Sequence, residues 1–75
     1  MNWKENLQSD PNIMFGKMVI KKTRVPVDLI LEKLGHGISY DELLAAYPKL
    51  TMEDIKACLL FAADVTKHEK VLAVA

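Results

Sequence analysis

Four kinds of side chain in this sequence have the types to do chemistry: two adjacent carboxylate pairs, two histidines, one thiol and a cluster of cations. The carboxylate pairs are Asp41-Glu42 and Glu53-Asp54. Each follows a helix-capping residue, Ser39 or Thr51, and so falls in a first helical turn. Acids there complement the positive end of the helix dipole and need exchange no proton. His36 sits between Gly35 and Gly37, the composition of a solvent-exposed turn, and His68 lies in the charged run Lys67-His68-Glu69-Lys70. Cys58 stands at helical spacing from Ile55 and Ala62, which makes it a core filler. Two histidines and one thiol are too few for a closed structural zinc site. No phosphate-binding glycine loop and no nucleophile–base pairing is present. The expectation is therefore no catalytic residue, no metal, no cofactor, no small-molecule substrate and no enzymatic activity.

The cations are more informative. They gather in Gly16–Val27, "GKMVIKKTRVPV", which carries Lys17, Lys21, Lys22 and Arg24. Net charge over the chain is zero, but residues 1–24 hold five basic and two acidic side chains, a net of +3. Residues 25–66 hold three basic and seven acidic, a net of −4. An anionic partner would meet the N-terminal part and not the helical body. In an extended strand Lys22 and Arg24 point to one side while Lys21 points with Val19 to the other. Two readings stay open: a short cationic edge for nucleic-acid phosphates, or charges that discourage uncontrolled pairing of a strand edge.

The elements that position these groups can be read from periodicity. Residues 1–11 read as an irregular or weakly extended arm closed by Asp10-Pro11, and residues 12–25 as a β segment. Within it Ile13–Phe15 and Met18–Ile20 are short apolar runs around Gly16-Lys17, which predicts a small hairpin with its turn at that pair. Residues 26–67 change period. Val27, Ile30, Leu31 and Leu34 fall at i, i+3, i+4 and i+7, with Pro26 suited to a first turn and Gly35 and Gly37 as terminators. Ser39 with Glu42 three residues on is a capping box for a second helix, whose apolar face is Tyr40, Leu43, Leu44 and Tyr47 and whose stop is Pro48. Thr51 caps a third helix with an inner face of Ile55, Cys58, Leu59 and Ala62. Leu60 and Phe61 broaden that stripe. Either the third helix is wrapped on all sides or its extra face meets a second copy. Residues 68–75 end in "VLAVA", a short apolar tail.

The second and third helices, joined by a tight turn over Tyr47–Leu50, are compatible with a helix-turn-helix unit. Its second helix would lead into a groove with Met52, Glu53 and Asp54, and Lys56 is the only nearby cation. Acids meet a phosphate wall unfavourably, so this helix is a poor DNA reader. DNA contact is expected instead from Lys21, Lys22 and Arg24, with Lys56 secondary.

At 75 residues the chain is expected to form one domain whose core is marginal alone. A single cysteine allows no internal disulfide, which points to homodimerisation, with Met18, Val19, Ile20, Leu60 and Phe61 as candidate interface residues. Val71, Leu72 and Val74 are the candidate partner-binding tail. No secretory leader pattern and no run of ~20 apolar residues is present, so a cytoplasmic location is expected and no membrane.

Taken in order, "DPNI" at 10–13, "GKMVIKKTRVPV" at 16–27 and "ILEKLGHGISYDELLAAYPKLTMEDIKACLLFAA" at 30–63 resemble the bacterial and archaeal family known as domain of unknown function 433. The sequence departs from that family's pattern at Met18, where proline is usual, and at Lys22, where glycine is usual. The resemblance implies a mainly α, three-helix homeodomain-like or winged-helix-type domain with a short N-terminal β-hairpin or β-arm. Some members look like VapB-type antitoxins encoded beside PIN-type nuclease toxins. It therefore implies an antitoxin-like regulator, a dimer binding a toxin protein and possibly operator DNA. The alternative is a homodimerising interaction module that binds no DNA.

Overall fold

The computed structural model describes residues 1–12 and 14–68. These form two short antiparallel strands, β1 (Leu7–Ser9) and β2 (Met18–Ile20), followed by helices α1 (Val27–Gly35), α2 (Tyr40–Ala46) and α3 (Met52–Lys67). The expected mainly helical class with an N-terminal hairpin is what the fold shows.

The helices begin and end where their local chemistry dictates. Pro26 stands at the N-cap of α1 and His36 closes its C-terminus through backbone bonds. Lys17 Nζ lies 2.6 Å from Asp28 Oδ2, an exposed ion pair that pins the hairpin to the first turn of α1. Its hydrogen bond holds the Asp28 carboxyl below the usual range. Ser39 and Glu42 form the expected capping box of α2. A second box opens α3, with Asp54 in the position that glutamate usually takes: its amide donates to Thr51 Oγ1 at 3.2 Å and its Oδ2 accepts from the Thr51 amide at 3.1 Å.

The hairpin differs from expectation. β2 is the predicted Met18–Ile20, but its partner is Leu7–Ser9 from the stretch read as an arm, in register Leu7↔Ile20, Gln8↔Val19 and Ser9↔Met18. Phe15 (φ 58°) and Gly16 (φ 84°) are both left-handed, a backbone that bends the chain and cannot extend a strand. The predicted run Ile13–Phe15 is therefore no strand where it is described, and Ile13 itself lies outside the described residues. Pairing with Leu7 satisfies the core better. Leu7 and Ile20 are both buried and join Val27, Ile30, Leu43, Leu50, Ile55, Ala57 and Cys58 in one cluster.

The inner face of α3 is also shifted from expectation. Asp54, Ile55, Ala57 and Cys58 are buried, whereas Leu59 is 38% exposed. The chain's own N-terminus covers the neighbouring face. A single helical turn at Trp3–Glu5 lays the Trp3 ring edge-on against Phe61, with centroids 5.0 Å apart, and Trp3 Nε1 donates to Asp64 Oδ2 at 2.6 Å. Leu60 and Val65 stay exposed, on different sides of α3.

Asp54 is the one buried charged side chain among the described residues. Besides the Thr51 amide it accepts from Asn6 Nδ2 at 3.0 Å, so both carboxylate oxygens are bonded. We expect Asp54→Ala to cost about 2–3 kcal/mol in urea unfolding, because it removes a cap and strands the Asn6 amide. Asn6→Ala, which leaves the cap in place, should cost about 1 kcal/mol.

Burial, and then the nearby Asp54 carboxylate, push the Cys58 thiol up to about 12 from an ordinary 9.0. A thiol reagent at neutral pH should leave native Cys58 unmodified and label it after denaturation. The unfolded chain releases this proton first as pH rises, so the stabilisation is complete below pH 9.0 and declines from there toward pH 12. Urea midpoints of wild type and Cys58→Ala should therefore diverge in slope above pH 9.0.

Candidate functional site

The cationic stretch is not a strand. β2 ends at Ile20, and Lys21–Arg24 form the turn that reverses the chain toward α1. The Arg24 amide donates to the Ile20 carbonyl at 2.8 Å and the Ile20 amide to the Val25 carbonyl at 2.9 Å, while Val19 bridges Pro26. The Val25 amide donates to Thr23 Oγ1 at 3.2 Å. This corrects the alternating arrangement expected for Lys21, Lys22 and Arg24. All three sit exposed on one tight turn, so they share a region of space where an extended strand would have divided them.

Arg24 holds the left-handed conformation that closes the turn, at φ 62°. Lys22, where the resembling family has glycine, is not left-handed. The side chain that bears the backbone cost is therefore Arg24, and the lysine at 22 is accommodated without it.

A second turn lies against the first. Tyr47–Leu50 links α2 to α3 and is closed by the Leu50 amide donating to the Tyr47 carbonyl at 2.9 Å, as the Pro48 stop predicts. Lys22, Thr23 and Val25 from one turn, and Tyr47, Pro48 and Lys49 from the other, line an open groove of about 350 Å³. Its lining combines apolar Val25 and Pro48 with two lysines and with the hydroxyl-bearing Thr23 and Tyr47. Among the described residues no carboxylate lies within ion-pair distance of Lys21, Lys22, Arg24 or Lys49. Lys49 was not singled out in the sequence. It looks like an ordinary turn lysine, and only packing sets its turn beside the other one.

Lys56 stands apart from this groove, exposed on α3 and 3.6 Å from Glu53. Glu53 faces solvent and Asp54 does not, so the leading edge of α3 is less acidic than its sequence suggests. Of the candidate interface residues, Val19 and Ile20 are 0% exposed and spend their side chains inside the chain, which corrects their placement on a dimer face. Met18 and Phe61 are half-buried, and Leu60 is 41% exposed. The tail candidates Val71, Leu72 and Val74 lie outside the described residues.

Among the described residues no three histidine, cysteine or acidic side chains cluster as metal ligands, and no helix is long and apolar enough to cross a membrane. His36 is exposed at the end of α1, 3.9 Å from Glu32.

The profile of a protein family of unknown function, DUF433, matches residues 7–62, from the first strand through most of α3. The chain belongs to the DUF433 family. A crystal structure of a DUF433 member from Anabaena variabilis superposes with a TM-score of 0.77 at 32% identity, covering 83% of this chain and 61% of that one. The uncharacterized protein y4eO of Sinorhizobium fredii is 34% identical over 59 residues. Those residues are 79% of this chain but 27% of that protein, so the chain spans about a quarter of its curated relative. The DUF433 match begins at Leu7, which leaves the Trp3 contact outside the matched span.

The backbone of the cationic turn can be tested directly. Arg24→Gly should stabilise the fold by up to about 1 kcal/mol in urea unfolding, since glycine takes the left-handed conformation without a Cβ penalty. Lys22→Gly should give no such gain.

Proposed function

We propose that this DUF433 protein is a non-enzymatic, antitoxin-like regulator: a dimer that binds a PIN-type toxin protein and contacts operator DNA. The observation that carries the DNA contact is the set of exposed cations Lys21, Lys22 and Arg24 on one turn, without an ion-pair partner among the described residues. Cations held together but not neutralised internally are free to replace the counterions of a phosphate backbone. The α3 surface supports the pairing. Leu59 and Leu60 are 38% and 41% exposed on the solvent side of a sixteen-residue helix, opposite the side that the core and Trp3 cover. The toxin rests on the family resemblance, and an apolar helical surface suits a protein partner better than a small molecule.

A second reading uses the same α3 surface alone, as a homodimerising module without DNA binding. Light scattering on the full chain decides the shared part: we expect a dimer at micromolar concentration, and Leu60→Glu to convert it to monomer with the far-ultraviolet circular dichroism unchanged. A wild-type monomer would sink both readings. Mobility shifts on DNA from upstream of the gene separate them. The regulator reading expects binding that weakens steeply with salt, and the module reading expects none at any salt concentration.

A further inference from the structure

The groove between the two turns has the chemistry of a phosphodiester clamp, and its composition says which ligand it suits. Lys22 and Lys49 come from segments 27 positions apart and line the same depression, with Lys21 and Arg24 on the flanking turn. Like charges brought together by tertiary packing repel one another, and an anion bound among them relieves that repulsion. The groove is open to solvent, which suits a polymeric anion lying across it better than a small phosphate ester needing enclosure. Thr23 Oγ1 already accepts from the Val25 amide, so its hydroxyl hydrogen remains to donate. The Tyr47 hydroxyl adds a second neutral donor. Val25, Pro48 and the Tyr47 ring give a floor against which sugar or base can lie.

The turns are also preorganised. Asn6 links the first turn to the core: its backbone carbonyl accepts from the Lys21 amide at 2.9 Å and its side chain donates to Asp54. The Tyr47 amide is held by the Leu43 carbonyl at 3.0 Å. Little backbone ordering remains to be done on binding, which favours affinity.

We propose that this groove, built from Lys22, Thr23, Tyr47 and Lys49 and flanked by Lys21 and Arg24, binds the phosphodiester backbone of a nucleic acid, in place of the N-terminus of α3. The proposal rests on the DNA part of the function given above and deepens it by extending the contact from the cationic turn to the α2–α3 turn, with Tyr47 and Lys49. Recognition here is of backbone charge and shape, because the residues lining the groove include no Arg, Asn or Gln and Arg24 stands on the flanking turn.

The test is fluorescence anisotropy of the full chain with a short labelled duplex of arbitrary sequence, and with the corresponding single strand, between about 50 and 200 mM salt. Lys22→Ala and Lys49→Ala should each weaken binding roughly 5- to 10-fold at about 0.1 M salt and reduce the steepness of the log–log salt plot by about 0.9. Lys56→Ala should bind as wild type. The two probes identify the polymer: a duplex preference assigns duplex backbone, and a single-strand preference that falls with Tyr47→Leu assigns a strand stacked on the ring. Both outcomes support the groove.

Wild-type affinity in Lys49→Ala would overturn it. So would a loss confined to Lys56→Ala, which would return the contact to α3 while leaving the DNA reading intact. Binding to neither probe by the wild-type chain would overturn the groove and the DNA reading together. Displacement of the DNA by poly-glutamate at equal charge concentration would assign the groove to acidic protein surfaces and overturn the nucleic-acid proposal. Lys22 and Lys49 are exposed, so circular dichroism should show both variants folded.

Discussion

One carboxylate holds the architecture in register. Asp54 is almost wholly withdrawn from water, where an unpartnered charge would cost several kcal/mol. It is tolerated because the start of α3 supplies a backbone donor and a favourable dipole, and because Asn6 supplies a side-chain donor. Those requirements act outward. Asn6 must sit against the third helix, which places Leu7 where it can pair with Ile20. The Asn6 carbonyl then anchors the Lys21 amide, where the cationic turn begins. The helix start, the hairpin register and the site are thus linked through a single pair of oxygen atoms.

The electrostatics of the helical pair follow from the same placement. Two adjacent acids open α3, but they face opposite ways. Glu53 remains at the surface beside Lys56, and Asp54 turns inward. Four exposed cations, Lys21, Lys22, Arg24 and Lys49, gather instead where two chain reversals meet, between the hairpin and the α2–α3 connection. A helix-turn-helix arrangement need not use its second helix as the contact element. In this DUF433 protein the exposed cations gather on the loops around the helices, where binding residues commonly stand on a rigid scaffold.

What could be read in advance depended on whether the signal was local. The caps at Ser39 and Thr51, the Pro26 start, the Pro48 stop and the apolar spacing of α1 are written in neighbouring residues, and each element formed close to where these place it. The strand opposite β2 was not legible. Leu7-Gln8-Ser9 has one strongly apolar residue and no alternation, and only the burial of Leu7 beside Ile20 selects it. The inward turn of Asp54 was hidden for a related reason. A first-turn acid looks the same whether it faces solvent or receives a donor from 48 positions away. Lys21, Lys22 and Arg24 were identifiable as a charge cluster, but Lys49 joins them through packing alone. Arg24 in a left-handed turn carried no warning, since glycine and asparagine are the usual signals for that conformation.

The Trp3–Asp64 bond spans 61 positions and joins the beginning of the chain to the last turns of α3. During synthesis the N-terminal segment leaves the ribosome first and waits, because the helix it docks on is made last. The Asn6 amide likewise has no carboxylate to meet until Asp54 has emerged. The hairpin and α1 can collapse early, yet closure of the domain waits until residues 54–64 have emerged. A chain halted before residue 54 would hold its paired strands while the Trp3 ring still lacked both Phe61 and Asp64.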